Sequence, residues 1–427
     1  MSAELVIAFA IPVFVALMAL ELVWAWWRGQ RVARFADVFA DLSCGLGQQA
    51  TGLLFKAVLL AGYTGVWHLA AIGHWPMDSW LAWVAALLVY DHQYYWWHRV
   101  SHRSNLVWAT HVVHHQSEDY NLAVALRQAW FSSLSSFFFY LPLAVLGVPP
   151  VMFITVALID LLYQFWIHTE LIGKLGPLEW VLNTPSHHRV HHGVDPRYVD
   201  KNYAGIFIVW DRLYGTFTEE EHRPTYGTVK PLKSWNPVWA NLEPWQRMAA
   251  TARQIPGWRD RVRYVLGPPE WLPDALGGPI EVPEPEPGRI TWDVSSTPAV
   301  HAYVAVLLLT ALGSLAALLV FASELPMLVV AGGVGLVLWT TVNGSALLES
   351  ARWALPSEWA RLGVSMVGVA MLPVDPVWQV AAVSAFAVCG VAVWRAVLAG
   401  AERAVPVLAA ESAEAAQALD GGAQASR

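Results

Sequence analysis

The chain has 427 residues, 56% of them hydrophobic and 14% charged. That is too apolar for an ordinary soluble enzyme and points to a membrane protein, and the 25 tryptophans suit aromatic belts at membrane interfaces. A net charge of −7 gives no reason to expect nucleic acid, and Cys44 and Cys389 form neither a metal motif nor a disulfide framework.

A first apolar run, residues 5–27, is long enough to cross a hydrocarbon core of about 30 Å. It lacks a basic n-region and a small-residue cleavage site, so it reads as a retained anchor. Arg28, Arg31 and Arg34 follow it, which by the positive-inside rule makes this end cytoplasmic. A second run, 42–71, contains Lys56, which places part of it at the interface. A third, 80–97, returns to the cytoplasm and delivers His98 and His102 just past its end. His111, His114 and His115 follow on the same side. A hairpin of two apolar segments, 130–146 and 151–167, turned at Pro149 and Pro150, then brings His168 and the 188–192 stretch back to that face. Residues 195–292 are polar and read as a cytoplasmic cap, and Pro283 to Pro287 as an extended linker. Runs at 299–321, 325–347, 359–372 and 377–398 read as four more spans, and the tail from Ala401 as disordered.

The expected fold class is therefore all-α, a polytopic integral membrane helical bundle with a histidine-rich di-metal site on the cytoplasmic side. Its expected parts are a membrane-embedded catalytic unit with its cap over 1–293, C-terminal transmembrane helices over 294–400, and a tail over 401–427. Arginine outnumbers lysine 21 to 5, a bias of GC-rich bacterial genomes, so the expected location is a bacterial inner membrane.

Ten of the fifteen histidines lie between His98 and His192. His188, His191 and His192 stand at i, i+3 and i+4, as do His111, His114 and His115, while His98 and His102 stand at i, i+4. On a helix such spacings put imidazoles on one face, and imidazole suits iron, zinc or copper. These eight exceed the four or so ligands of a single zinc ion. They suit two metals close together, and two iron ions can bind and reduce O2 jointly.

Other polar residues stand near the boxes. His168 shares a stripe with Asp160 and Gln164 on an otherwise apolar helix; it is either a ninth ligand or a histidine ending its helix. Glu170 reads as an acceptor behind a ligand or as an interfacial charge. Asp91, two turns before His98, either orients a ligating imidazole through its second N–H or bonds another buried helix. His187 would point about 100° from His188, as a ligand or behind the ligands. His68, His74, His92, His222 and His301 have no partner spacing and read as structural.

The boxes H-R-V-S-H (98–102), H-V-V-H-H (111–115) and H-R-V-H-H (188–192) resemble the fatty acid hydroxylase / sterol desaturase superfamily of membrane di-iron oxygenases. The stretches 118–128, 163–170, 183–193, 200–205 and 210–217 narrow the similarity to the branch of monooxygenases that cleaves alkylglycerol ether lipids. The likeness covers roughly residues 80–235. It implies two iron ions held by the box histidines, O2 as co-substrate, a membrane lipid as substrate, and tetrahydrobiopterin or another, unidentified, electron donor. One position departs: that branch often has Glu after the first box, where this chain has Arg103.

Two other readings stay open. Desaturation or hydroxylation of a sterol, fatty acid or carotenoid begins with the same hydrogen abstraction. A metal transporter would instead place its ligands near mid-membrane on broken helices, whereas here they cluster past span ends.

Overall fold

The computed structural model describes residues 3–285 and 289–370, with isolated positions between 384 and 395. The tail expected from Ala401, most of the span expected at 377–398 and part of the linker lie outside the described residues. Among those described, every regular element is helical, apart from one antiparallel bridge between Leu182 and Phe207. In chain order these are α1 (Ala3–Trp27), α2 (Phe35–Ala70), α3 (Trp80–Arg103), α4 (Asn105–Trp108), α5 (Ser132–Leu146), α6 (Pro150–Trp166), α7 (Pro185–His191), α8 (Val209–Tyr214), α9 (Pro237–Gln254), α10 (Trp258–Leu266), α11 (Pro298–Phe321), α12 (Met327–Leu348) and α13 (Ala354–Ala370).

Four of them are long and apolar enough to cross a membrane: α1 from Phe9, α2, α11 and α12. The run at 80–97, read as a span, falls short for a chemical reason. As α3 it is long enough, at about 36 Å, but Asp91, His92, Gln93 and the first histidine box make it too polar. The hairpin helices α5 and α6 have 15 and 17 residues. They reach only about 23–26 Å, short of a core of about 30 Å. The short run expected at 359–372 is α13, which begins earlier, at Ala354. In contrast, α2 has 36 residues and starts at Phe35, seven residues ahead of the expected run. At about 54 Å it far exceeds a membrane core. Its Lys56 is bonded to Gln49 at 2.7 Å.

Contacts divide the chain into two compact units. The second joins Val294–Thr310 to the chain from Trp339 onward. Its polar centre is Glu358, bonded to Arg361, to the Tyr303 hydroxyl and to Asn343. The first, Met1–Asp293 with Ala311–Leu338, carries all the boxes. Its α5–α6 hairpin turns tightly because Gly147 takes a left-handed conformation (φ +94°) and Pro150 opens the next helix at its first turn. Under the hairpin, Tyr63, Ala86, Tyr90, Tyr140, Leu143, Met152 and Val156 form one buried cluster, with Tyr90 stacked on Tyr140 at 4.5 Å. This packing fixes α3 against α5 and α6 and so aims its C-terminal turn, which begins the histidine site.

A second anchor lies at the start of α2. The buried Arg127 guanidinium donates to Asp41 (3.1 Å), to the Val113 carbonyl (2.6 Å) and to Gln116 (3.0 Å). Arg34 holds Asp119, and Ser117 donates to Asp37. Together these bonds tie residues 113–127, which begin inside the second box, to α2. The approach is close: a Cβ at Gly45 would lie 2.2 Å from the Leu126 carbonyl oxygen. Gly45→Ala must therefore displace backbone beside Arg127. The expected loss is about 1–3 kcal/mol, the usual result of overpacking, read as a lower thermal midpoint in detergent with weakened metal retention. A variant as stable as wild type would show that Leu126 moves freely.

Candidate metal centre

The third box sits on α7, a short helix begun by Pro185 at its first turn. The second box is not on an α-helix. Val112–His115 form a 3-10 turn, whose three residues per turn differ from the geometry assumed from the i, i+3, i+4 spacing. The boxes therefore do not each present one face to one metal. His98, His102, His111, His115 and His191 gather in one group; His114, His168, His188 and His192 gather in another. Within each group the ligating atoms all lie within 4.8 Å of one another. Both H-x-x-H-H boxes are thus split between the groups. The two groups abut, with the His115 ring stacked on His192 at 4.5 Å and the His188 ring stacked on His191 at 5.2 Å. All nine imidazoles read from the sequence as metal-facing are in these groups, His168 included.

The outer nitrogens show which way the rings face. Nδ1–H of His98 donates to the Tyr203 carbonyl (2.8 Å), of His114 to Arg127 (2.9 Å), of His168 to Gln164 (2.7 Å) and of His191 to Lys201 (2.9 Å). Because a carbonyl only accepts, those Nδ1 atoms carry the proton and each Nε2 presents a bare lone pair inward. His102 Nδ1 faces Asp200 at 3.5 Å. Several inner atoms then have no protein partner that satisfies them. Nε2 of His102, His191 and His192 is buried without a hydrogen bond. The Nε2 atoms of His114 and His168 stand 3.3 Å apart, two lone pairs face to face. In a dry site this repels unless a cation is shared.

That cation is not a proton. Burial, reinforced by the neighbouring imidazoles, holds His98, His111, His115, His168, His188, His191 and His192 well below the ordinary imidazole range. Burial lowers His114 to about 4. At neutral pH these rings are uncharged, the form that binds a metal. The residues present thus fit a pair of metal ions, one per group.

The residues read as supports act less directly than their spacing suggested. Asp91 touches no imidazole. It accepts from the backbone N–H of Ile206 (2.6 Å) and Phe207 (3.1 Å) and from the Trp210 indole (2.8 Å). It therefore anchors the loop whose Tyr203 carbonyl holds His98. Asp160 accepts from the Gln164 amide at 2.6 Å, and Tyr94 donates to Gln164 at 2.7 Å. Gln164 holds His168 through its backbone carbonyl rather than its side chain. Glu170 is engaged by Arg223 and Tyr226. His187 stands outside both groups, its ring edge-on to Phe217. Of the five histidines read as structural, His92 bonds Tyr214 at 2.9 Å.

Several residues that shape the site were not singled out in the sequence. Asp211 accepts from the N–H of Tyr203 and of Ala204, both at 2.8 Å, and Asn183 donates to the carbonyls of Ala204 and Gly205. Asp200 meets both His102 and Arg103. Burial opposes its ionisation, but those two partners outweigh burial and depress its pKa. The available signal was the pair of motifs at 200–205 and 210–217, whose roles as carbonyl donors and loop anchors no spacing rule encodes.

The family model described as fatty acid hydroxylase matches residues 83–216, a stretch that holds both histidine groups. Alkylglycerol monooxygenase from Homo sapiens is 39% identical over 300 residues, covering 70% of this chain and 67% of its own length. The Danio rerio enzyme of that name is 40% identical over 304 residues (69% and 67%), and the Xenopus tropicalis one 41% over 274 residues (64% and 61%). The chain belongs to the fatty acid hydroxylase family. As a member it is an integral membrane oxidoreductase, a lipid monooxygenase of the fatty acid hydroxylase superfamily. It spans about two thirds of the length of these curated relatives. No solved structure matches it.

Proposed function

We propose that the two histidine groups each hold one iron ion and that the protein uses O2 to hydroxylate an ether-linked membrane lipid of the alkylglycerol class. The supporting observation is the pair of facing lone pairs on His114 and His168, beside the orphaned Nε2 atoms of His102, His191 and His192. When bound, the metals supply the redox chemistry that O2 activation and cleavage of an unactivated C–H bond require.

The chain's own residues prepare that chemistry. The carbonyls of Tyr203, Arg127, Gln164 and Lys201 fix four imidazoles neutral and inward-facing. Trp97, Trp108, Tyr120 and Tyr203 pack against the histidine rings and keep water from the site. In the overall reaction, a carbon beside the ether oxygen takes one oxygen atom of O2. The other atom leaves as water with two electrons and two protons from a donor. The resulting hemiacetal breaks into an aldehyde and an alcohol. The arginines that follow α1 support placing the site on the cytoplasmic face.

Elemental analysis of protein from iron-supplemented expression is expected to give two metals per chain; one, or none, would sink the two-metal reading. Zinc in place of iron would leave it standing, since histidine sites take both. Membranes incubated with an alkylglycerol under O2 are expected to release an aldehyde, and an alkene product would establish desaturation instead. Running the assay with tetrahydrobiopterin, and separately with NADPH and a reductase, identifies the electron donor.

A further inference from the structure

Beside the second histidine group lies a cavity of about 460 Å³, lined by Gln30, Arg31, Glu170, Arg189, Glu220 and Arg223. It shares its walls with the site. Arg189 immediately follows His188 on α7, and Glu170 lies two residues beyond His168. None of these side chains faces a metal group.

The lining is charged in an unbalanced way. Arg189 donates to both oxygens of Glu220 at 2.7 Å and also to the carbonyls of Thr169 and Ile172. Arg223 donates to both oxygens of Glu170 at 2.7 Å. Each carboxylate is thus matched by one guanidinium. Arg31 is exposed and forms no ion pair among the described residues. The cavity presents three guanidiniums against two carboxylates, so it favours an anion, and a guanidinium fork fits phosphate in particular.

Its position indicates where that anion comes from. Gln30 and Arg31 lie three and four residues past the end of α1, whose last turn exposes Trp24, Trp26 and Trp27 at 50%, 79% and 69%. Tryptophans at the end of a span sit at the headgroup level of a bilayer. A cavity at that height meets lipid phosphates.

We propose that this cavity binds a phosphate group, with Arg31 as the cation that selects it, and that a lipid headgroup carries the phosphate. That the bound lipid is the substrate rests on the lipid-monooxygenase reading; the recognition of phosphate does not.

The test is calorimetric titration of the full-length protein in neutral detergent with dihexanoyl phosphatidic acid, with neutral dihexanoylglycerol and with inorganic phosphate. The phosphatidic acid is expected to bind about tenfold tighter than the neutral lipid, the order that one charge-assisted contact gives. Arg31→Gln should remove that difference. Arg28→Gln, at the same interface but outside the cavity, should leave it intact. Equal binding of the two lipids overturns the proposal, and so does an equal loss in Arg28→Gln, which would mean diffuse interfacial charge. Inorganic phosphate binding as tightly as the lipid overturns the headgroup as the source. If no phosphate-dependent binding is found while an alkylglycerol is still oxidised, the cavity proposal fails alone. If binding is as expected but no lipid is oxidised, the reaction assignment fails and the cavity stands.

Discussion

If each histidine group holds one metal as proposed, His168→Ala is expected to cost the protein one metal and its turnover together. His168 lies outside the histidine boxes, yet its Nε2 stands 3.0 Å from that of His188 and 3.3 Å from that of His114. Removing it leaves the second group with three imidazoles, while the first keeps its five. Metal content should fall from two per chain toward one, with activity near background. The protein should remain membrane-inserted, because the long apolar helices do not depend on this ring. The carboxylate behind it should matter less. Asp160 reaches His168 only through Gln164, so Asp160→Asn should weaken metal binding or activity by about 10–100-fold, as partners behind a ligand do. If His168→Ala keeps both metals and full activity, the stripe of Asp160, Gln164 and His168 is helix packing, and the site rests on the three boxes alone.

How far the sequence discloses this site depends on what each residue contributes. Side-chain ligands show themselves by identity and spacing, and so the nine imidazoles stand out, as does the polar stripe ending in His168. Their division into two groups does not. It depends on Val112–His115 being a 3-10 turn and on α7 ending at His191, boundaries that a short histidine-rich segment leaves open. The supports are harder still, because four of the imidazoles are held by backbone carbonyls, which every residue carries. Asp91 shows the limit well. Its position two turns before His98 allowed either a bond to a ligand or a bond to another buried helix. Its partners are instead mainly the N–H groups of a loop 115 residues away, joined by the Trp210 indole, which local periodicity cannot reveal. The long helices follow the same logic. Apolar length marks α1, α2, α11 and α12, while α3 satisfies length and fails on polarity because it also carries the site.

The largest structural effect is expected at Asp91. Its carboxylate is fully buried and takes three donors, Ile206 N–H, Phe207 N–H and the Trp210 indole. Asp91→Ala leaves these without their acceptor in a site that excludes water. At about 1–3 kcal/mol for each unsatisfied buried group, the loss amounts to several kcal/mol. The damage falls on a loop that links two boxes: its Tyr203 carbonyl holds His98, and its Ala204 and Gly205 carbonyls hold Asn183, two residues before α7 begins. Both histidine groups should therefore loosen although every histidine is intact. The expected result is a thermal midpoint in detergent lowered by many degrees, loss of bound metal and loss of turnover. Asp91→Asn tests whether position or mere bulk is responsible. It keeps one carbonyl oxygen for the loop but turns an amide N–H₂ toward the other donors, so it should recover part of the stability and little of the metal. If Asp91→Ala retains two metals and wild-type turnover, then Asp211, which binds the same loop through Tyr203 and Ala204, positions His98 without help from α3.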